Sequence, residues 1–350
     1  MASAPGYRVF MLGATGYVGS QFLIELSRSE KSKALYITAL VRALTPEKES
    51  RLKKIHPAIQ AIEGNLDDED IIREEASKAD IVIDCASSDH WPSVRATLAG
   101  LEKRSGQQPG NPPLYIHISG TSIVSDNCKG EDVEPVEHTD IGLNLEQLPP
   151  ANPHLHCDIP IAHAGTRREN PVRTIIVFPG WIYGVGEGIQ KVTVAYRIFL
   201  DLAKTTGYVG TWGKGHNGTN NIHVKDVAKA IRFLLEAALD GKVGGVGAGT
   251  DDLYFVSSNE KVVPNAEIMS RIGNTLYHEG LVGMPGSKPF PDEIVEPFGP
   301  RKLFFMHRTN HSDINQPVGW SALGGNVRTR SDKMAKLGWQ PTETRKKSLN

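Results

Sequence analysis

The residues with the plainest chemistry stand near the start of the chain, in the run Gly13-Ala14-Thr15-Gly16-Tyr17-Val18-Gly19. Glycines at G-x-x-G-x-x-G spacing strip the side chains from a tight loop, and such a loop can hold an anion. Gly13 would make the turn, Gly16 would let the backbone approach a pyrophosphate, and Gly19 would let the following helix pack closely. The anion itself would sit on unpaired N–H groups at that helix's N-terminus, alongside Thr15, Tyr17 and Val18. A second candidate lies in Ala39-Leu40-Val41-Arg42, with no acidic residue before Glu47. A carboxylate at this place would accept a ribose 2′-hydroxyl, whereas an arginine pairs with a 2′-phosphate. The loop and Arg42 together imply a dinucleotide cofactor, NADP(H) in preference to NAD(H).

Such residues work only if a frame brings them to one edge. Arg8 to Leu12 is an apolar run of the length of one buried strand, and Tyr17 to Ser29 carries Val18, Phe22, Leu23 and Leu26 at helical spacing. Further strands are expected at Tyr36–Val41, Ala58–Ile62, Asp80–Ala86, Leu114–Ser119, Val172–Phe178 and Leu253–Ser257, with helices at Asp68–Lys78, Pro92–Arg104 and Lys225–Leu239. This alternation predicts an α/β chain: a doubly wound parallel Rossmann sheet of about seven strands with a smaller C-terminal substrate lobe. The expected division is a dinucleotide-binding domain over 1–180 that also receives 222–258, a lobe from 181–221 and 259–330, and a tail over 331–350. Asp126–Pro153 is polar and proline-containing and reads as a loop with at most one short helix.

Composition narrows the function classes. A net charge of −1 gives no basic footprint for nucleic acid. The longest apolar runs fall far short of a membrane span, and Met1 to Tyr7 has no secretory leader pattern. The three cysteines, Cys85, Cys128 and Cys157, are scattered and form no C-x-x-C, which points to a reducing, cytoplasmic setting and no zinc site. The expected partner is a small-molecule substrate, with neither nucleic acid nor membrane.

Several blocks occur in a recognisable order: the glycine loop; Gly64-Asn65-Leu66-Asp67-Asp68; Asp84-Cys85-Ala86; Ile118-Ser119-Gly120-Thr121; and Phe178-Pro179-Gly180-Trp181-Ile182-Tyr183-Gly184. Asn221-Ile222-His223-Val224-Lys225-Asp226-Val227 and Leu337-Gly338-Trp339-Gln340-Pro341 follow. In these blocks the chain resembles the extended short-chain dehydrogenases/reductases, the group that includes nucleotide-sugar epimerases, and more closely the fungal NAD-dependent epimerase/dehydratase-like proteins. The resemblance implies that Asn65 and Leu66 flank an adenine, that Cys85 and Ala86 lie along a cofactor ribose, and that Ser119 and Pro179 border the same site. It implies that Thr121 occupies the catalytic Ser/Thr position. It also leaves a homodimer open, through two helices next to the fourth and fifth strands.

One element of that family is missing. Its hydride chemistry uses a tyrosine four residues before a lysine, the tyrosine exchanging the proton and the lysine lowering its pKa. The nine tyrosines here are followed at that distance by Met11, Gln21, Leu40, Ser119, Glu187, Leu200, Trp212, Ser258 and Leu281. The expected place of the pair reads Asn152-Pro-His154-Leu-His156-Cys-Asp158, which puts His154 near the tyrosine and Asp158 near the lysine. A histidine with a pKa near ~6.5 can donate a proton at neutral pH, so His154 or His156 is the candidate acid, with Asp158 orienting it.

The leading reading is an NADP(H)-dependent reductase acting on a small, largely apolar carbonyl or enone. Trp181, Tyr183, Phe199, Tyr208 and Trp212 would supply pocket walls, and Thr121 would hydrogen-bond the developing oxyanion. Two other classes stay open: a non-catalytic NADP-binding redox sensor similar to the NmrA-like regulators, and a non-redox isomerase or cyclase using the same pocket.

Overall fold

Strand β1 (Tyr7–Leu12) shows how the molecule is layered. Its side chains alternate faces, as successive residues of any strand must. Val9 and Met11 enter a core shared with Phe22, Leu23, Leu26, Ile231 and Leu234. Phe10 and Leu12 enter a second core with Ile72, Val94, Leu101, Tyr115 and Ile161. Both faces are therefore apolar, which is the signature of a sheet covered by helices on both sides. The computed structural model describes residues 6–258, 261–295 and 323–346.

Six more strands join β1: β2 (Leu35–Val41), β3 (Gln60–Glu63), β4 (Ile81–Asp84), β5 (Leu114–Ile118), and, after the short β6 (Glu137–Thr139), β7 (Arg173–Pro179) and later β11 (Leu253–Val256). All pair in parallel, in the order β11-β7-β5-β4-β1-β2-β3. The order reverses between β1 and β4, and ligands of such sheets bind in the crevice beyond the carboxyl ends at that point. This is a doubly wound Rossmann sheet. Helices α1 (Tyr17–Ser27) and α7 (Val224–Leu239) cover one face; α3 (Glu69–Lys78), α4 (Trp91–Gln107) and α5 (Leu155–Ala164) cover the other. Helix α2 (Pro46–Ile55) follows β2, with Thr45 capping it and Pro46 in its first turn.

The other strands are short: β8 (Trp181–Tyr183) pairs with β10 (Asn221–His223), β9 (Val209–Thr211) with β12 (Ser287–Pro289), and β6 with β13 (Arg328–Arg330). With α6 (Val194–Thr206), α8 (Asn265–His278) and α9 (Asp292–Val295) they surround a third core of Phe199, Leu202, Trp212, Phe290, Val295 and Leu323. Parts of the lobe and tail expected from the sequence, residues 296–322 and 347–350, lie outside the described residues. Two local expectations need correction. The supposed loop Asp126–Pro153 holds β6, whose partner β13 lies far away in sequence and so left no local trace. The stretch from Leu155, absent from the expected helices, is helix α5, despite Pro160 inside it, because Leu155, Cys157, Ile161, Ala162 and Ala164 bury against the sheet.

Candidate active site

The glycine loop joins β1 to α1 directly. Gly13 has φ +79°, and a β-carbon there would lie 2.6 Å from the Cys85 carbonyl carbon, at the end of β4. At Gly19 a β-carbon would lie 2.2 Å from the Gly13 oxygen, so α1 packs on the turn only because both positions are bare. Gly16 differs: a β-carbon would meet one atom, the Gly13 oxygen at 3.2 Å, and otherwise open space. Gly16 is also the N-cap of α1, with no side-chain cap and no acidic residue in the first turn. Uncapped N–H groups facing open space are what a pyrophosphate requires, so the residues present fit a dinucleotide. The Tyr17 hydroxyl donates to the Gly184 carbonyl at 2.6 Å, tying the loop to the chain after β8.

Arg42 is exposed just past β2, and its guanidinium makes no hydrogen bond or ion pair to a described residue. The Lys48 ammonium donates to the Arg42 and Ala43 carbonyls at 2.8 and 2.7 Å, which fixes this turn and adds a second cation beside it. Past β3, Asn65 is occupied within its own turn: its backbone N–H and amide both donate to Asp68, and its amide oxygen accepts from the Asp67 N–H. Leu66 packs against the second core. Cys85 is half-buried and Ala86 exposed at the end of β4. Thr15 and Val18 are half-buried in the glycine loop.

Three side chains converge beyond β4 and β5. His154 Nδ1 lies 2.8 Å from Asp89 Oδ1, and His154 Nε2 lies 2.8 Å from Ser122 Oγ. Neighbouring strands supply two of them: Asp89 follows β4, where His90 caps α4, and Ser122 sits in the helical turn Thr121–Val124 after β5. His154 is the N-cap of α5, with a left-handed backbone at φ +72°. That conformation is uncommon for a side chain bearing a β-carbon. Two devices hold it. The Asn152 amide donates to the Ile123 and Ser125 carbonyls at 2.7 and 3.1 Å, and Gly120 leaves space for the imidazole, whose Nε2 would lie 3.1 Å from a β-carbon there. Burial alone would lower the His154 pKa, but the Asp89 carboxylate outweighs it and raises the pKa above the ordinary value. For Asp89, burial pulls upward, and the contacts with His154, His156 and Ser88 bring its carboxyl down to about 2. The ring of His156 is exposed and reaches only the Asp89 carbonyl, at 3.1 Å.

Asp158 therefore does not orient His154; Asp89 does. Although they stand one helical turn apart, His154 points to the β4 loop, while Asp158 bonds Ser119 at the end of β5. The Ser119 hydroxyl donates to Asp158 at 2.7 Å, so Ser119, expected along the cofactor, faces inward. His117 Nε2 stands 3.7 Å from the other Asp158 oxygen, and beyond it Tyr115 donates to Asp84 at 3.2 Å. Burial pushes the Asp158 carboxyl up to about 6, against the pull of His117, His154 and Ser119. Thr121 is buried and its hydroxyl donates to the Pro179 carbonyl at 3.3 Å; the hydroxyl presented to His154 belongs to the next residue, Ser122. Asp89 and Ser122 were not found by reading the sequence. They are far from His154 along the chain, and only the adjacency of β4 and β5 makes them neighbours.

A cavity of about 330 Å³ lies in the region after β7. Trp181, Tyr183, Tyr196, Phe199, Trp212 and Met269 line it, and among the described residues Lys261 is its one charged side chain. Asn220 lines it too, but its amide is spent on the Ser258 carbonyl and the Thr329 N–H. Tyr208 does not reach the cavity; its ring packs on Phe290 and lies under the Lys288 ammonium. Thr344, from the C-terminal segment, closes one wall. Among the described residues no helix is long and apolar enough to cross a membrane, and no cluster of His, Cys, Asp or Glu is arranged to hold a metal.

Comparison with known proteins agrees with this architecture. Residues 9–100 match the NAD dependent epimerase/dehydratase family. The chain is 29% identical to the oxidase ucsJ of an Acremonium species over 288 residues, covering 79% of this chain and 80% of that one. It is 27% identical over 280 residues to an uncharacterized protein of Saccharomyces cerevisiae, covering 75% and 83%. The fold is that of the UDP-glucose 4-epimerase of Thermotoga maritima, solved with UDP-glucose (TM-score 0.57, 14% identity, 96% and 94% of the chains). It is also that of the dTDP-glucose 4,6-dehydratase of Bacillus anthracis, solved with NAD (TM-score 0.53, 16% identity, 91% and 96%). The chain thus has the fold of the extended short-chain dehydrogenases/reductases.

Proposed function

We propose that the chain is an NADP(H)-dependent reductase of a small, largely apolar carbonyl or enone. The observation that carries this reading is the pairing of buried His154 with Asp89, a proton source where the tyrosine and lysine are missing. Arg42 supports the preference for a 2′-phosphate, and the relative called an oxidase supports redox chemistry. The cavity argues against a nucleotide sugar: a diphosphate needs cations to neutralise it, and among the described residues only Lys261 lines this one.

Bound NADPH would supply a hydride. The chain's own part is the proton. Both ring nitrogens of His154 are engaged, so its Nε2 proton cannot reach a substrate directly. It passes to Ser122 Oγ as the Ser122 hydroxyl proton passes to the carbonyl oxygen. Asp89 stays ionised and steadies the imidazolium until solvent returns a proton. Thr121 holds the turn against Pro179, which sets where Ser122 points. The test is NADPH consumption across a panel of aldehydes, ketones and enones. Turnover is expected with some member, and a drop of about 10²–10⁴-fold in His154→Ala, the usual worth of general acid catalysis. No consumption with any member would favour a non-catalytic sensor instead.

A further inference from the structure

Ser122, His154 and Asp89 stand in the order hydroxyl, base, carboxylate, with both links at 2.8 Å. We propose that Ser122 is an activated nucleophile and that the chain hydrolyses small acyl esters without any cofactor. The inference goes beyond the reductase reading and does not rest on it.

A serine hydroxyl is inert near neutral pH unless a base lies within hydrogen-bond reach and a third group holds that base in one tautomer. Both conditions are met. Asp89 accepts a hydrogen bond from Nδ1–H, which leaves Nε2 free to accept from Ser122. Accessibility follows the same logic, since the His154 ring is buried while Ser122 and Asp89 are half-buried. The backbone adds an independent observation: His154 is held at φ +72°, and such strain persists where surrounding structure enforces it, often at working sites. Asn152 and Gly120 are that surrounding structure. The Asp89 carboxylate has no lysine or arginine partner among the described residues; its acidic oxygens meet His154 and Ser88.

The reaction balances within these groups. Ser122 Oγ attacks the ester carbonyl carbon while its proton passes to Nε2. The tetrahedral adduct collapses, and the alcohol leaves with that proton, so an acyl–Ser122 ester remains. Water attacks the acyl carbon, gives its proton to Nε2, and collapse releases the carboxylic acid as Oγ regains a proton. Ester and water become acid and alcohol, with no oxidant or reductant.

The two activities would use opposite states of His154. Donation requires the imidazolium, attack requires the neutral ring, so ester hydrolysis should rise with pH where reduction falls. The charged and titratable groups facing the ring are Asp89 from the β4 loop, with His156 beside it, and Asp158 from α5.

The experiment uses the full chain without NADP(H). A fluorophosphonate should add once, at Ser122, forming an Oγ–P bond and releasing fluoride, with the adduct located by peptide mass mapping. p-Nitrophenyl acetate should be hydrolysed. Ser122→Ala should not label. His154→Asn, which keeps a residue that tolerates the left-handed backbone, should label at least about 100-fold more slowly while melting like the parent. Asp89→Asn should also slow labelling, through the wrong tautomer. Absence of label at Ser122, or equal rates in the parent and a folded His154→Asn, would overturn the proposal. Labelling without NADPH consumption would support it and count against the reductase reading alone.

Discussion

At the scale of single residues, the site is a set of hydroxyls and carboxylates whose directions were decided by what lies across the sheet. Thr121 and Ser119 were legible as residues at the end of β5, because the strand and the turn are written locally. Their hydroxyls are turned to Pro179 and Asp158, and no spacing rule reveals that. The predictions at this scale follow from charge. Arg42→Glu should weaken NADP binding about ten- to a hundredfold and lower the NADP/NAD preference, the charge-assisted bond being worth roughly 1.5–3 kcal/mol; titration with both cofactors measures it. Reduction should decline as pH rises through the His154 pKa, which Asp89 keeps above its ordinary value despite burial. Asp158 behaves in the opposite sense to a salt-bridged acid. Its folded pKa is pushed up to about 6, chiefly by burial, while an unfolded aspartate titrates near ~3.9. Between those values the unfolded chain gives up its proton first, so stability is lost as pH rises. Asp158→Asn should therefore raise Tm more at pH 8 than at about pH 4. A Tm change independent of pH would show that Asp158 ionises freely in the folded chain.

At the scale of elements, most of the frame could be read in advance. Apart from the edge strand β3, each strand of the large sheet is a short apolar run that carries its signal within itself. Helix α5 could not, because its signal is divided between an apolar face and a proline that breaks the pattern. The glycine loop makes a prediction by contrast. Gly19→Val would drive side-chain atoms into the Gly13 carbonyl and should unfold or strongly destabilise the chain. Gly16→Val meets almost nothing in the protein, so it should melt near the parent while losing dinucleotide binding. Calorimetry with and without NADP separates the two. The start of α7 offers another test. Asp226 is buried and accepts from the N–H groups of Thr342, Glu343 and Thr344 and from the Thr344 hydroxyl. Burial opposes ionisation there, but these bonds win and lower its pKa. Asp226→Asn should cost about 1.5–3 kcal/mol in denaturant unfolding. Because the folded pKa lies below the unfolded one, the contribution of Asp226 is present above about pH 4 and vanishes as pH falls through the folded value.

At the scale of the whole molecule, the cavity is the product of distant segments, which is why the sequence named four of its aromatic walls but not its outline. Trp181 and Tyr183 follow β7, Phe199 lies on α6, Trp212 follows β9, and Thr344 arrives from the far end of the chain. Trp181 and Trp212 make the cavity self-reporting. A planar apolar ketone should change the tryptophan emission, whereas UDP-glucose should leave it unchanged; a response to UDP-glucose would restore the nucleotide-sugar class. The pairing of β6 with β13 has a further consequence, for the order in which the protein is made. A ribosome delivers the chain from one end, and every strand of the large sheet emerges before residue 257. Glu137–Thr139 must then wait for Arg328–Arg330, and the wall that Asp226 holds waits for Thr344. The crevice at the carboxyl ends of β1 and β4 can form on a nascent chain, but the cavity is completed only once Thr344 has emerged. A truncated or stalled product would retain the half that captures cofactor while leaving β6, Trp212 and their apolar neighbours without the cover that finishes them.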